Sequence, residues 1–160
     1  MLSVTIISVG KLKEKYYADA VNEYLKRLGA YCKAEISELP ETARGTSPSA
    51  ADITSALRSE AAAISARIPK GAAVIAMCVE GREMSSEAFA EMLDNYASSG
   101  VSRLCFVIGG SDGLHENIKS IADLRLSMSK MTFPHHLARV VLLEQIYRGF
   151  KIIEGSRYHK

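Results

Sequence analysis

Short apolar blocks alternate with amphipathic stretches along nearly the whole chain. Residues 2–9 (LSVTIISV) form a β-rich apolar run that stops at Gly10. In residues 14–28, Tyr17, Val21, Tyr24, Leu25 and Leu28 recur at helical spacing, and Gly29 stands where a C-terminal cap belongs. Residues 32–39 alternate as a second strand and end at Pro40. A loop over 41–51 follows, with Ser47-Pro48 as a helix start. Ile53, Leu57, Ile64 and Ile68 then line a helix running to about Pro69.

The second half repeats the theme. Residues 73–79 (AVIAMCV) predict a buried strand, and 80–85 a polar connection around Gly81. Phe89, Met92, Leu93 and Tyr96 mark the inner face of the next helix, and Gly100 lies beyond its end. Residues 104–108 predict another buried strand, 116–122 a short helix and 124–130 a short strand. The last helix runs from Leu137 to about Ile152. Strands that are continuously apolar and alternate with helices predict an α/β fold, a mainly parallel sheet flanked by helices. One domain over residues 1–160 accommodates all of it, since a second full domain has no room.

The final helix departs from the usual stripe. Leu137, Val140, Val141, Leu142, Leu143, Ile146, Tyr147 and Phe150 cover most of its circumference. It is either buried twice, on its own sheet and on a second copy of the chain, or covered by other layers of its own domain.

Composition narrows the class of protein. The apolar runs are far shorter than the roughly 20 residues needed to span a bilayer, and the opening residues lack the form of a signal peptide. With Cys32, Cys78 and Cys105 widely spaced and no Cys-x-x-Cys pair, a reducing cytoplasmic setting with inert buried thiols is expected. The net charge is only +2, but it is unevenly spread. Residues 1–33 carry six Lys/Arg against three Asp/Glu, 34–100 five against ten, and 101–160 nine against five. Basic ends around an acidic middle suit termini that meet a polyanion, or arise from ordinary surface scatter.

Three places could carry chemistry. Gly109-Gly110-Ser111-Asp112-Gly113 follows a strand directly, at the sheet edge where open α/β folds bind ligands. It is either a ligand-approach turn or a tight corner, and it matches neither a Walker loop nor a dinucleotide fingerprint. Glu144 and Arg148 lie four apart on the last helix, as a helix ion pair or as a carboxylate and cation able to orient a base. The tail Gly155-Ser156-Arg157-Tyr158-His159-Lys160 is basic and aromatic, either disordered or able to grip a nucleotide. Neighbouring His135 and His136 do not share a helix face, so no metal is expected and solvation is their default.

The segments FVIGGSDGLH, LSMSKMTFPHHLARVVLLEQIYRGFKI and RYHK, with VGKLKEKYY near the start, closely resemble the RlmH family, bacterial methyltransferases of the SPOUT class. The resemblance runs nearly end to end. It implies a homodimer with a C-terminal trefoil knot that cradles S-adenosylmethionine. The cofactor would lie at Met77, Gly109 and Gly110, and along Met128, Ser129, Lys130, Met131, Thr132 and Phe133. It further implies methylation of N3 of a pseudouridine in 23S rRNA, on assembled ribosomes. Arg148, Tyr158 and His159, with Glu144 beside them, are the catalytic candidates, drawn from the two protomers at one seam. Lys11, Lys13 and Lys15 would touch phosphates. The rival readings are a methyltransferase of the same class that acts on tRNA, and a non-enzymatic ribosome-binding factor.

Overall fold

A computed structural model describes all residues, Met1–Lys160, as a five-stranded sheet with helices on both faces. Its elements in chain order are β1 (Ser3–Val9), α1 (Lys15–Leu28), β2 (Lys33–Leu39), α2 (Ala50–Arg67), β3 (Ala73–Glu83), α3 (Ser86–Ser98), β4 (Arg103–Ile108), α4 (Glu116–Ile121), β5 (Leu124–Ser127) and α5 (His135–Ile153). The strand order is β2-β1-β4-β3-β5, and every pairing is parallel.

The continuous apolar strands have a direct structural cause. Val4 and Ile6 of β1, Ile75 of β3 and Leu104, Phe106 and Ile108 of β4 point to one face, where Val21 of α1, Phe89 and Leu93 of α3, and Leu142, Leu143 and Ile146 of α5 cover them. Ile7, Val9, Val74, Ala76, Cys105 and Val107 point to the other face, against Ala61 and Ile64 of α2 and Ile118 of α4. Successive residues alternate between faces, so a sheet covered twice needs apolar residues at both parities.

Several local expectations need correction. β3 does not stop at Val79, because the polar stretch continues to Glu83 and pairs again with β5. Leu126 is the partner of both Met77 and Arg82, so Cys78, Val79, Glu80 and Gly81 bow out of the ladder. Backbone hydrogen bonds carry that second pairing and need no apolar side chains. Only Gly fits at 81, since a Cβ there would lie 2.8 Å from the Arg125 and Leu126 backbone. β5 is shorter than expected, ending at Ser127.

α2 begins at Ala50, later than the Ser47-Pro48 signal suggested, because Ser49 and Asp52 form a reciprocal capping box. Its buried face is Ala56, Glu60, Ala61 and Ile64, while Ile53 and Leu57 stay partly exposed. α5 starts at His135, with Pro134 as its N-cap, and packs on α1 and α3. Its buried residues are Arg139, Leu142, Leu143, Ile146 and Gly149, whereas Leu137, Val140, Val141, Tyr147 and Phe150 are only partly buried within this chain. Gly149 lets α5 pack tightly on α3, since a Cβ there would lie 2.7 Å from Leu93 Cδ1. No helix is long and apolar enough to cross a membrane.

Candidate functional site

The chain leaves β3, β4 and β5 at one edge of the sheet, and the loops there enclose a cavity of about 700 Å³. Its wall holds Met77, Gly109, Gly110, Met128, Ser129, Met131, Thr132 and Phe133. Of the nine residues expected around a cofactor, only Lys130 does not line it. Val79, Glu80, Lys119, His135 and Ala138 also line it and were not anticipated. Glu80 and Lys119 form an ion pair at the cavity, and Lys119 holds the Glu80 carboxyl below its ordinary range.

Steric demand explains the glycines. A Cβ on Gly109 would collide with the Gly113 carbonyl, and Gly113 itself has φ +78°. The turn closes through Gly113 N–H donating to the Gly110 carbonyl at 3.1 Å. Backbone therefore forms the cavity surface here, and a ligand can approach the main chain.

A second network supports this turn from behind. Glu41 Oε1 accepts from the Ser111 hydroxyl at 2.7 Å and from the Ser111 amide at 3.3 Å. The Ser111 hydroxyl bond is the main reason that Glu41 titrates below the usual carboxylate range. Arg44 donates to Asp112 at 2.6 Å and to the buried Glu60 at 3.0 Å, and so ties the turn to α2. Neither Glu41 nor Arg44 was singled out in sequence. Their partners in the turn lie 70 and 68 residues away, and no local pattern reports such a pairing.

The histidines are not solvated as expected. His135 lines the cavity, its ring packs edge-on against His136 with centroids 4.2 Å apart, and both are partly buried. Burial, and then the neighbouring His136, push the His135 pKa down. Arg139 is almost wholly buried, donating to Glu38 at 2.5 Å and to the Gly10 carbonyl at 2.9 Å, and so clamps the start of α5 to the ends of β1 and β2.

The four catalytic candidates form a separate cluster, none of them lining the large cavity. Arg148 grips Glu144 Oε1 through Nη2 at 2.6 Å and Nε at 3.0 Å. The Tyr158 hydroxyl donates to the same oxygen at 3.3 Å, and Gln145 donates to Glu144 Oε2 at 2.8 Å. The tail is folded back: the Arg148 guanidinium sits 4.9 Å from the Tyr158 ring centroid, and Tyr147 meets that ring edge-on. The bond to Glu144 raises the Arg148 pKa, while burial and then the Glu144 charge raise that of Tyr158.

His159 bridges Arg148 and Glu87. Its Nε2 lies 2.7 Å from Glu87 Oε1, and its Nδ1 lies 3.1 Å from Arg148 Nη1. A carboxylate only accepts and a guanidinium only donates, so the pattern requires the neutral Nε2–H tautomer, with Nδ1 as acceptor. Glu87, from the first turn of α3, is a member of the cluster that sequence reasoning missed.

A smaller cavity of about 260 Å³ lies between cluster and large cavity. It shares Met77, Leu126, Ser127, Met128 and Phe133 with the large cavity. Its other side is formed by Met84, Ser85, Ser86, Phe89, Val141, Leu142 and Gln145. Cys78, expected to be buried, lines the large cavity and is half-buried, whereas Cys32 and Cys105 are buried.

The chain's relatives agree with this architecture. A family model described as "Predicted SPOUT methyltransferase" matches residues 2–159. A protein named ribosomal RNA large subunit methyltransferase H from Bacillus cytotoxicus is 47% identical, over 99% of this chain and 100% of that one. A protein of the same name from Acetivibrio thermocellus is 44% identical over the same shares. In fold, the chain resembles "a probable methylase family protein" from Haemophilus influenzae Rd KW20, with TM-score 0.59 and 14% identity, over 100% of this chain and 72% of that one.

Proposed function

The chain belongs to the SPOUT methyltransferase family, and on that premise we propose that this methyltransferase acts on large-subunit ribosomal RNA, with S-adenosylmethionine as donor. The target in this reading is N3 of a pseudouridine in 23S rRNA, and the enzyme works as a cytoplasmic homodimer on assembled ribosomes. The carrying observation is the cavity at the ends of β3, β4 and β5, whose size falls within the range of pockets that bury a drug-sized ligand.

The wall suits this cofactor. Exposed main chain at Gly109 and Gly110 offers amide contacts, and Met77, Met128 and Phe133 offer apolar surface. Lys119, the cavity's one lysine or arginine, is already paired with Glu80, as befits a cofactor without phosphates. Bound there, S-adenosylmethionine would supply an electrophilic methyl group with a neutral thioether as leaving group. The partly buried Leu137, Val140, Val141, Tyr147 and Phe150 favour a second copy against α5.

The protein must orient the ring nitrogen and favour loss of its proton. Glu144 and His159 are poor free bases in this arrangement, since both Glu144 oxygens and both His159 nitrogens already have partners. Arg148 acts instead as a fixed cation whose field favours the deprotonated ring. Tyr158 and His159 hold its guanidinium in place.

Calorimetry with S-adenosylmethionine, followed by methyl-label transfer to ribosomes, free 23S rRNA and tRNA, tests the reading. Cofactor binding with label in the large-subunit RNA is expected. Label in tRNA alone would refute the substrate, and absent cofactor binding would refute the enzyme's donor.

A further inference from the structure

We propose that the 260 Å³ chamber beside the large cavity receives the flipped-out pyrimidine ring that is methylated, and that Gln145 holds one of its carbonyl oxygens. The proposal rests on the reading above and adds the place and chemistry of base recognition.

Size gives the first argument. The chamber falls below the roughly 300–1,000 Å³ typical of pockets for drug-sized ligands, so it suits one ring and not a whole nucleoside cofactor. Position gives the second. Met77, Leu126, Ser127, Met128 and Phe133 border both spaces, so a ring in the chamber lies across one wall from the larger ligand.

Chemistry gives the third. None of the chamber's lining residues is charged. The zwitterionic amino-acid end of the cofactor would lose hydration there without a counter-ion. A neutral pyrimidine loses little, and the Phe89, Phe133 and methionine side chains offer its faces contact of the kind that holds flipped bases.

The polar groups complete the match. Ser86 donates to Gln145 Oε1 at 2.6 Å, and Gln145 Nε2 spends one hydrogen on Glu144 Oε2 at 2.8 Å. Its second N–H is free. The Ser85 hydroxyl accepts from the Ala88 amide and serves the Glu87 carboxylate, whose titration it helps to lower. The chamber thus has one spare donor, on Gln145, and no carboxylate. A uracil-type imide has carbonyls on both sides of its N3, and both gain negative charge when that nitrogen loses its proton. A donor placed for either oxygen stabilises the reactive form. The Gln145–Glu144–Arg148 chain also couples the chamber to the fixed cation of the tail cluster.

Two variants test the chamber, Ser86→Phe to fill it and Gln145→Leu to remove a donor at similar volume. Each full-length protein is assayed for S-adenosylmethionine affinity by calorimetry and for kcat and KM with ribosomes. Both should bind cofactor within twofold of the unaltered protein. Ser86→Phe should lose transfer at least about 100-fold, and Gln145→Leu should lower kcat about 100-fold, as for removal of an oxyanion donor. Its kcat should also rise at higher pH, because alkali substitutes for the lost stabilisation of the deprotonated ring.

Tenfold weaker cofactor binding by a folded Ser86→Phe would overturn the proposal, since the chamber would then belong to the cofactor. Transfer within threefold of normal in both variants would overturn it as well. Should Ser86→Phe fail to fold, the kcat and pH profile of Gln145→Leu decide alone. Unaltered protein that binds no cofactor overturns the functional reading itself. Transfer by unaltered and altered proteins alike overturns only the chamber.

Discussion

Replacing Arg44 with Met tests whether the turn that floors the large cavity depends on a buried ion pair. Arg44 keeps 10% of its side chain exposed and Glu60 only 3%, so solvent screening does little to weaken their 3.0 Å contact. In Arg44→Met, the Glu60 carboxylate keeps the Thr42 amide at 2.8 Å and loses both guanidinium contacts. Breaking a buried pair by removing one partner costs about 3–5 kcal/mol. Asp112, 34% exposed, is rehydrated and adds little. A loss of about 3–5 kcal/mol lowers Tm by roughly 6–20 °C in a chain of this size.

The double variant Arg44→Met/Glu60→Leu removes both charges, and it should recover most of the loss because an apolar replacement strands no charge. Urea unfolding at pH 7 measures all three proteins, and calorimetry follows the cofactor. A single-variant loss below about 1 kcal/mol, or a double variant no better than the single, would refute the buried-pair argument. Cofactor affinity should fall in both, because Asp112 loses its tether in both.

Three further outcomes follow. Gly109→Ala should abolish cofactor binding and destabilise the fold, because its Cβ meets the Gly113 carbonyl and not a side chain that could rotate away; calorimetry and thermal melting check this. With a thiol reagent at pH 8, Cys78 should react first and cofactor should protect it, while Cys32 and Cys105, pushed by burial to about 11 and about 12, stay unreactive until unfolding. Glu41 titrates below its ordinary 4.5, so its contribution is complete above that pH and is lost as acid reaches the lower folded value. Glu41→Gln should therefore lower stability in the neutral region, leave the most acidic points nearly unchanged, and so flatten the acid limb of a stability profile.

Apolar runs and helical spacing located all ten elements, because each period reflects local geometry that every residue obeys. The glycine turn after β4 was legible for the same reason, since its requirement for Gly is local backbone strain and close approach. The second half of β3 was not, because its ladder is made by backbone atoms that carry no sequence signal. Burial of Glu60 and Arg139 could not be read either. Each is polar, and each is tolerated inside only because Arg44, or Glu38 and Gly10, arrive from distant chain.

The tail divides the same way. Sequence alone presented Glu144, Arg148, Tyr158 and His159 as candidates and determined that Glu144 and Arg148 share a helix face. Only the tertiary structure decided that Glu87 joins them and fixes the His159 tautomer. Only it decided, too, that the cluster lies outside the large cavity and reaches the smaller one through Gln145. Periodicity constrains neighbours within a turn or a strand. Hydrogen bonds between polar groups 72 residues apart depend on how the layers pack, which no local pattern encodes.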